Sequence, residues 1–402
     1  MPSTQTLWRR ARGFAAGQIL LRAPRVLRSA FLGRELSWTH RDAQPVARVS
    51  PGEVRCLIAP ANFGSQGYYW ARAASLLPDV QCVNLQFVAD GQKVVGPADF
   101  DVSDRVSRFA RPWARRQLRA LEDDFTHVLI EASIPLLRAY HGRGLEREVE
   151  LLRARGLKVG FIAHGSDVRR PTRHMELEPL SPFRGGMGGR AATLETRSIS
   201  NIRALDRLGG PEFVSTPDLL EYRPEATWLP LLTDNAKWTK FEPTRLASRV
   251  PVVLHVPSSR PALKGSEPIR ESLRRLRDEG LIDYLEVNGV PYEEMPKYVA
   301  RADIVVNQVG IGAYGALALE SMLAGRVVVA QVWNSVRDFI RIETGYRVPI
   351  VEANSRDVYS VVKEVVLERA RYSDVGSESR AYATAVHSAE AVAERLAPFL
   401  FS

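Results

Sequence analysis

"NQVGIGAYGALALESMLAGRVVVA", residues 307–330, sets three glycines (Gly310, Gly312 and Gly315) ahead of a single acid, Glu320, in an otherwise largely apolar run. "ADIVV" (302–306) before it and "RVVVA" (326–330) at its end read as buried strands. Between them "ALALESMLAG" (316–325) is built of strong helix formers. Strand, glycine loop, helix and strand make a βαβ unit with a parallel pair. Glycine lets backbone N–H groups approach a ligand, and a helix N-terminus carries partial positive charge, so this loop suits a diphosphate. Glu320 falls about one turn into that helix, where a charge is costly unless it faces a cleft or is paired. A carboxylate accepts two hydrogen bonds in a fork, which matches the vicinal hydroxyls of a ribose. Water, Arg326 or Arg337 are the alternative partners.

The same rhythm extends in both directions. Strands are expected at 53–59, 80–88, 126–132 and 157–165, with helices at 113–125 and 144–156 between them. The stretch 175–192, with its prolines and glycines, interrupts the pattern and reads as a mobile loop beside a cleft. Around 227–249 the periodicity lapses. It then resumes with strands at 250–258, 282–289 and 346–353 and a closing helix around 376–399. The expected organisation is a leader over 1–50, a Rossmann-like domain over 51–232 and a linker over 233–249. A second Rossmann-like domain follows over 250–375, and the C-terminal helix over 376–402 crosses back toward the first. Ligands of open α/β sheets sit outside the carboxyl ends of the strands, so the loops there should carry the chemistry.

The 402 residues carry a net charge of +9, and most of it lies at one end. Residues 1–50 hold nine arginines against Glu35 and Asp42, a net +7, interleaved with Trp8, Phe14, Phe31 and aliphatic residues. Such a segment suits an interfacial helix on an anionic membrane. A helix packed on the body, a nucleic-acid arm and a transit peptide are the alternatives. Outside the leader no basic patch laced with aromatics suggests a nucleic-acid partner. Cys56 and Cys82 sit in apolar runs and read as buried reduced thiols, which points to the cytoplasm.

Three further loops stand out. "HVPSSRPALKG" (255–265) ends a strand and delivers Arg260 and Lys264, two cations placed to neutralise a diphosphate. "FIAHGSDVRRP" (161–171) ends a strand at His164. "PANFGSQGYYWARA" (60–73) links strand to helix through Gly64 and Gly67. Asp99 and Asp101 form a D-x-D in what reads as a polar loop, a weak metal signal.

Together these stretches, with "VSTPDLL" (214–220) and "LPL" (229–231), resemble the GT-B glycosyltransferases, in particular retaining family 4. The resemblance spans roughly 53–390 and implies two Rossmann-like domains facing a central cleft. It implies that Arg260 and Lys264 hold the donor diphosphate and that Glu320 holds the nucleotide ribose. Gly312, Tyr314 and Gly315 would line the nucleotide-sugar site with backbone amides, Gly64 and Gly67 would reach it from the first domain, and His164 would lie against the donor sugar. The family often carries two acids with seven residues between them; here the second is Glu320 and the first position is Gly312. The implied activity is transfer of a sugar from a nucleotide-sugar to an acceptor hydroxyl, with retention and without a metal, in cell-envelope polysaccharide or glycolipid synthesis. The implied location is cytoplasmic, with the inner membrane face as a second site of residence. A non-catalytic nucleotide- or sugar-binding protein on the same fold is the alternative.

Overall fold

The computed structural model describes residues 44–89, 96–141, 144–257 and 261–402. Most of the leader and Arg260 lie outside the described residues. Two separate sheets organise the chain. The first contains β1 (Val54–Ala59), β2 (Val80–Val88), β3 (Phe100–Ser103), β4 (His127–Glu131), β5 (Lys158–Ala163), β6 (Glu212–Val214) and β7 (Thr227–Trp228), in the order β3-β2-β1-β4-β5-β6-β7. The second contains β8 (Val252–His255), β9 (Asp283–Glu286), β10 (Ile304–Val306), β11 (Val327–Ala330) and β12 (Val351–Glu352), in the order β12-β11-β10-β8-β9. All the strand pairings are parallel.

Parallel sheets are covered on both faces, which is why their central strands are continuous apolar runs. Leu57 and Ile58 of β1 and Val128, Leu129 and Ile130 of β4 are all buried, each such side chain contributing roughly 1.5–3 kcal/mol. Cys56 and Cys82 are register partners on β1 and β2, both buried and unbridged. Burial and the neighbouring Cys56 push the Cys82 thiol well up, so it stays protonated and inert.

Strand order reverses once in each sheet, between β1 and β4 and between β8 and β10. At such a reversal the loops leaving the two strands diverge and open a crevice. The loops singled out at 60–67, 255–265 and 307–315 leave β1, β8 and β10, so topology alone carries them to these crevices.

The helices that matter for the site are α1 (Gln66–Ala74), α2 (Arg111–Asp124), α3 (Pro171–Leu177), α4 (Arg190–Leu208), α5 (Ser266–Asp278), α6 (Ala316–Leu323), α7 (Val358–Leu367), α8 (Val375–Val386) and α9 (Ala389–Leu400). On α5 the buried residues Ile269, Leu273 and Leu276 recur at helical spacing and pack with Val358, Val362 and Val365 of α7. An acid at Leu273 would break that contact. α9 returns to the first sheet and lies on α1. Its Phe399 meets His127 edge-on at 5.1 Å and Phe213 at 6.2 Å.

Three expectations need correction. The D-x-D is not a loop: Phe100 and Asp101 start β3, while Asp99 accepts from Arg72 (2.7 Å) and from the Asn84 amide (2.8 Å). Asp101 accepts from Gln86 (2.7 Å). β7 lies within the segment where periodicity lapses, because a two-residue edge strand shows no pattern. The strand expected over 346–353 shrinks to Val351–Glu352, since Pro349 just upstream has no N–H to donate. Among the described residues no helix is long and apolar enough to cross a membrane.

Candidate functional site

The first-sheet wall is organised around an acid that inspection of the loops missed. Glu131 ends β4, and its side chain is fully buried. One oxygen accepts the backbone N–H groups of Ala61 and Asn62, each at 2.9 Å. The other lies 3.0 Å from His164 Nε2. Glu131 therefore ties the loop after β1 to the histidine after β5. Asp167 holds the turn from below, accepting from the amides of His164 (3.1 Å) and Gly165 (2.7 Å). The imidazole is 6% exposed and sits between Phe63 (5.3 Å, edge-on) and Trp70 (5.5 Å). The signal was available in "HVLIEA": a lone acid closing a buried strand, the same pattern that drew attention to Glu320.

The second wall is the start of α6. Gly315 is extended, and nothing lies within 4 Å of the position a side chain there would take. The first N–H groups of α6 have no partner within the helix, an arrangement that favours anions. Glu320 is buried and accepts the Tyr292 hydroxyl at 2.9 Å. It pairs with neither arginine: Arg326 bonds the carbonyls of Ala324, Ala302 and Glu242, and Arg337 pairs with Glu352. Burial pushes the Glu320 carboxyl up to about 7, against the opposing pull of Tyr292 and Lys237. Tyr292 is itself held from the segment joining the two sheets, by Thr233 Oγ1 (3.1 Å) and by the Lys237 ammonium over its ring (4.2 Å).

The two walls meet. A methyl group on Gly64 would lie 3.8 Å from Ala316 Cβ, so the first glycine loop abuts the N-terminus of α6. His164, Phe63, Gly64, Ala316 and Glu320 thus form one contiguous line across the cleft. Lys264 ends a short helix, Pro261–Lys264, whose last carbonyl accepts from Val309 N at 3.1 Å, which lays the helix on the loop after β10.

Several expected ligand residues face elsewhere. Gly67 is packed inside α1, and a side chain there would come within 2.5 Å of Asn84 and 3.1 Å of Glu131. Its bareness admits Glu131 rather than a ligand. Tyr314 is buried, its hydroxyl bonded to Tyr382 (2.6 Å) and His387 (2.9 Å) beneath the loop. Gly312 takes a left-handed φ of 80°, and the Trp333 indole lies where its side chain would go, at 2.2 Å. A side chain at Gly312 would thus meet the ring.

The stretch 175–192 is no free loop. After α3 it forms a 3-10 helix, Pro182–Gly189, whose Phe183 packs with Leu263 and Ile311 of the second half. Glu178, buried, accepts from Gln331 Nε2 (2.8 Å) and from Trp333 Nε1 (3.0 Å), while the His174 ring lies 5.0 Å from that of Trp333, tilted by 44°. Burial and nearby Arg169 push His174 down to about 4, so it is neutral there. A hydrophobic and hydrogen-bonded bridge thus joins the two halves at one end of the cleft.

No protein-family model matches the chain, and no relative was found among curated proteins. Solved structures do match. Sucrose-phosphate synthase from Thermosynechococcus elongatus superposes with a TM-score of 0.55 at 13% identity, over 86% of this chain and 97% of that one. The catalytic domain of starch synthase IV from Arabidopsis thaliana, bound to ADP and acarbose, gives 0.55 at 9% identity, over 88% and 100%. HepE from Anabaena in complex with UDP gives 0.52 at 12% identity, over 87% and 99%. Two parallel sheets whose crevices face each other across a cleft, matched along nearly whole chains, establish the architecture: this chain has the GT-B fold of these glycosyltransferases.

Proposed function

We propose that the protein is a glycosyltransferase that takes a sugar from a nucleotide-sugar and delivers it to an acceptor hydroxyl. The observation that carries this reading is the meeting of the walls: the loop at Gly64 abuts the N-terminus of α6 at Ala316, with the buried Glu320 on one side and the Glu131-held His164 on the other. The nucleotide half lies on the second sheet, its diphosphate over Gly315 and the start of α6, with Lys264 and Arg260 toward its charge. Glu320 takes the ribose hydroxyls. Matched structures holding UDP, or ADP with acarbose, support a donor of this class. Closure over the donor keeps water from the activated sugar.

His164 lies against the transferred sugar, and its hydrogen bond to Glu131 fixes the ring. The reaction proceeds with retention and without a metal, the leaving phosphate helping to deprotonate the acceptor hydroxyl while the helix end and the cations take its charge. The protein works in the cytoplasm on a cell-envelope polysaccharide or glycolipid, with the arginine-rich leader on the inner membrane face. A panel of UDP-, GDP- and ADP-sugars incubated with the protein should release nucleoside diphosphate from at least one member. Tight binding with no release from any donor would establish a non-catalytic binder instead.

A further inference from the structure

A cavity opens between α3, α4 and the segment after β6. It measures about 410 Å³, within the roughly 300–1,000 Å³ of small-molecule sites, and is lined by Arg170, Arg173, Ile199, Ile202, Arg203, Glu221 and Tyr222. Three cations face one acid in this lining. Arg170 spends one N–H on Glu195 (3.0 Å), and Arg173 spends one on Glu176 (3.2 Å) and one on Glu221 (3.5 Å). A guanidinium has five donors, so most of theirs are left for a ligand.

Tyr222 supplies the independent sign of a ligand. It is 8% exposed, and its buried hydroxyl has no hydrogen-bond partner among the described residues. A buried polar group left unpaired costs free energy unless something else satisfies it. Burial holds this phenol far above its ordinary value, so it is a neutral donor. Arginine and tyrosine donors beside an apolar wall of Ile199 and Ile202 complement an oxyanion attached to a carbon skeleton. The cavity is also tied to the transfer site. Asn201 of α4 donates to the Asp167 carbonyl (2.9 Å), and Asp167 caps the amides of His164 and Gly165.

We infer that this cavity binds the phosphate-bearing part of the acceptor, an assignment that rests on the transferase reading above. Calorimetry on the full chain with glucose 1-phosphate, inorganic phosphate and glucose tests it. Glucose 1-phosphate should bind more tightly than inorganic phosphate, because the isoleucine wall adds to the anion contacts, and glucose should not bind. Arg203→Gln and Tyr222→Phe should each weaken glucose 1-phosphate by about tenfold or more. Lys264→Gln, on the other wall, should leave it unchanged. Because the Tyr222 hydroxyl is unpaired, Tyr222→Phe should not lower the melting temperature, which separates binding from folding.

Unchanged affinity in both cavity variants, or loss in Lys264→Gln, overturns the site. Inorganic phosphate binding as tightly as the phosphorylated sugar leaves an adventitious ion only and overturns the acceptor assignment. A parallel UDP titration keeps the two readings apart. Failure of the cavity with UDP binding intact removes only the cavity, whereas no nucleotide binding at all removes the transferase reading and leaves the measured anion affinity standing.

Discussion

Tyr292 donates its hydroxyl to Glu320 across 2.9 Å, and the tyrosine is held in turn by Thr233 and Lys237 from the segment between the sheets. The carboxylate expected to read the ribose is therefore oriented by the segment that joins the two sheets. One of its oxygens is already engaged, which leaves the other for a ligand hydroxyl. Hydrogen bonds to charged groups contribute about 1.5–3 kcal/mol. Glu320→Ala should weaken nucleoside diphosphate binding by roughly ten- to a hundredfold. A 2′,3′-dideoxy nucleotide should bind the wild type poorly and lose little further in the variant, the non-additivity of a shared contact. An undiminished preference for the hydroxylated ligand in Glu320→Ala would remove the ribose role.

The pH dependence of binding should report the same group. Glu320 sits near 7 when free, and a ribose donating to it favours the ionised form. UDP affinity should therefore climb from about one unit below that value to about one unit above it. The phosphate of UDP titrates too, so Glu320→Gln serves as the baseline, and only the difference in slope belongs to Glu320. Stability without ligand should run the other way. An acid raised in the folded state, from 4.5 to about 7, stabilises below its unfolded value, and that contribution is lost as pH rises through about 7. Glu148, also near 7 through burial, shares the window, so Glu320→Gln should flatten the melting profile only in part. Parallel slopes for wild type and Glu320→Gln, in binding and in melting, would show that Glu320 titrates elsewhere.

His164 and Glu131 should separate turnover from nucleotide affinity. His164→Ala is expected to lower kcat by about tenfold or more, which corresponds to about 1.4 kcal/mol of lost transition-state contact. Nucleoside diphosphate affinity should hardly change, because that grip belongs to the second sheet. Glu131→Gln keeps the size of the side chain, and its amide oxygen can still accept from Ala61 and Asn62, but it puts an N–H donor in place of the carboxylate oxygen facing His164, so it should reduce kcat. Nucleotide affinity falling in step with kcat in His164→Ala would refute the division between the walls.

Gly312 offers a test of packing. Its left-handed backbone, and the Trp333 ring lying where a Cβ would go, leave no room for a side chain. Gly312→Ala should cost at least 1–3 kcal/mol, the usual penalty of overpacking. Trp333→Ala in the same chain should recover part of that loss, although it forfeits the bond to Glu178. Thermal melts of the two single variants and the double variant give the coupling directly. Additive losses would mean that the ring does not occupy the side-chain position.

The leader prediction concerns residues outside the described set. Removing residues 1–34 should abolish co-sedimentation with anionic liposomes and leave a folded body, since Pro45 and Ala47, beyond the cut, keep their bonds to Trp113 and Gln117 of α2. Liposome binding equal to that of the full chain would place the membrane contact elsewhere.

What the sequence determined by itself was local. Alternating apolar runs and helix formers set the strands and crossovers, because burial on both faces of a parallel sheet demands continuous hydrophobic strands. Glycine loops at strand ends marked both crevices, and a lone acid in an apolar helix marked Glu320. The tertiary structure alone decided which groups meet. Glu131 and His164 are 33 residues apart, and Glu178 reaches Gln331 across 153. Tyr314 lies in the right loop yet points into the core, and Gly67, at the start of α1, faces Asn84 and Glu131, because a motif specifies where the backbone passes and not which way each position turns. Trp333 fills the space beside Gly312 for the same reason: side-chain direction is settled by packing between distant segments, and no local pattern carries that information.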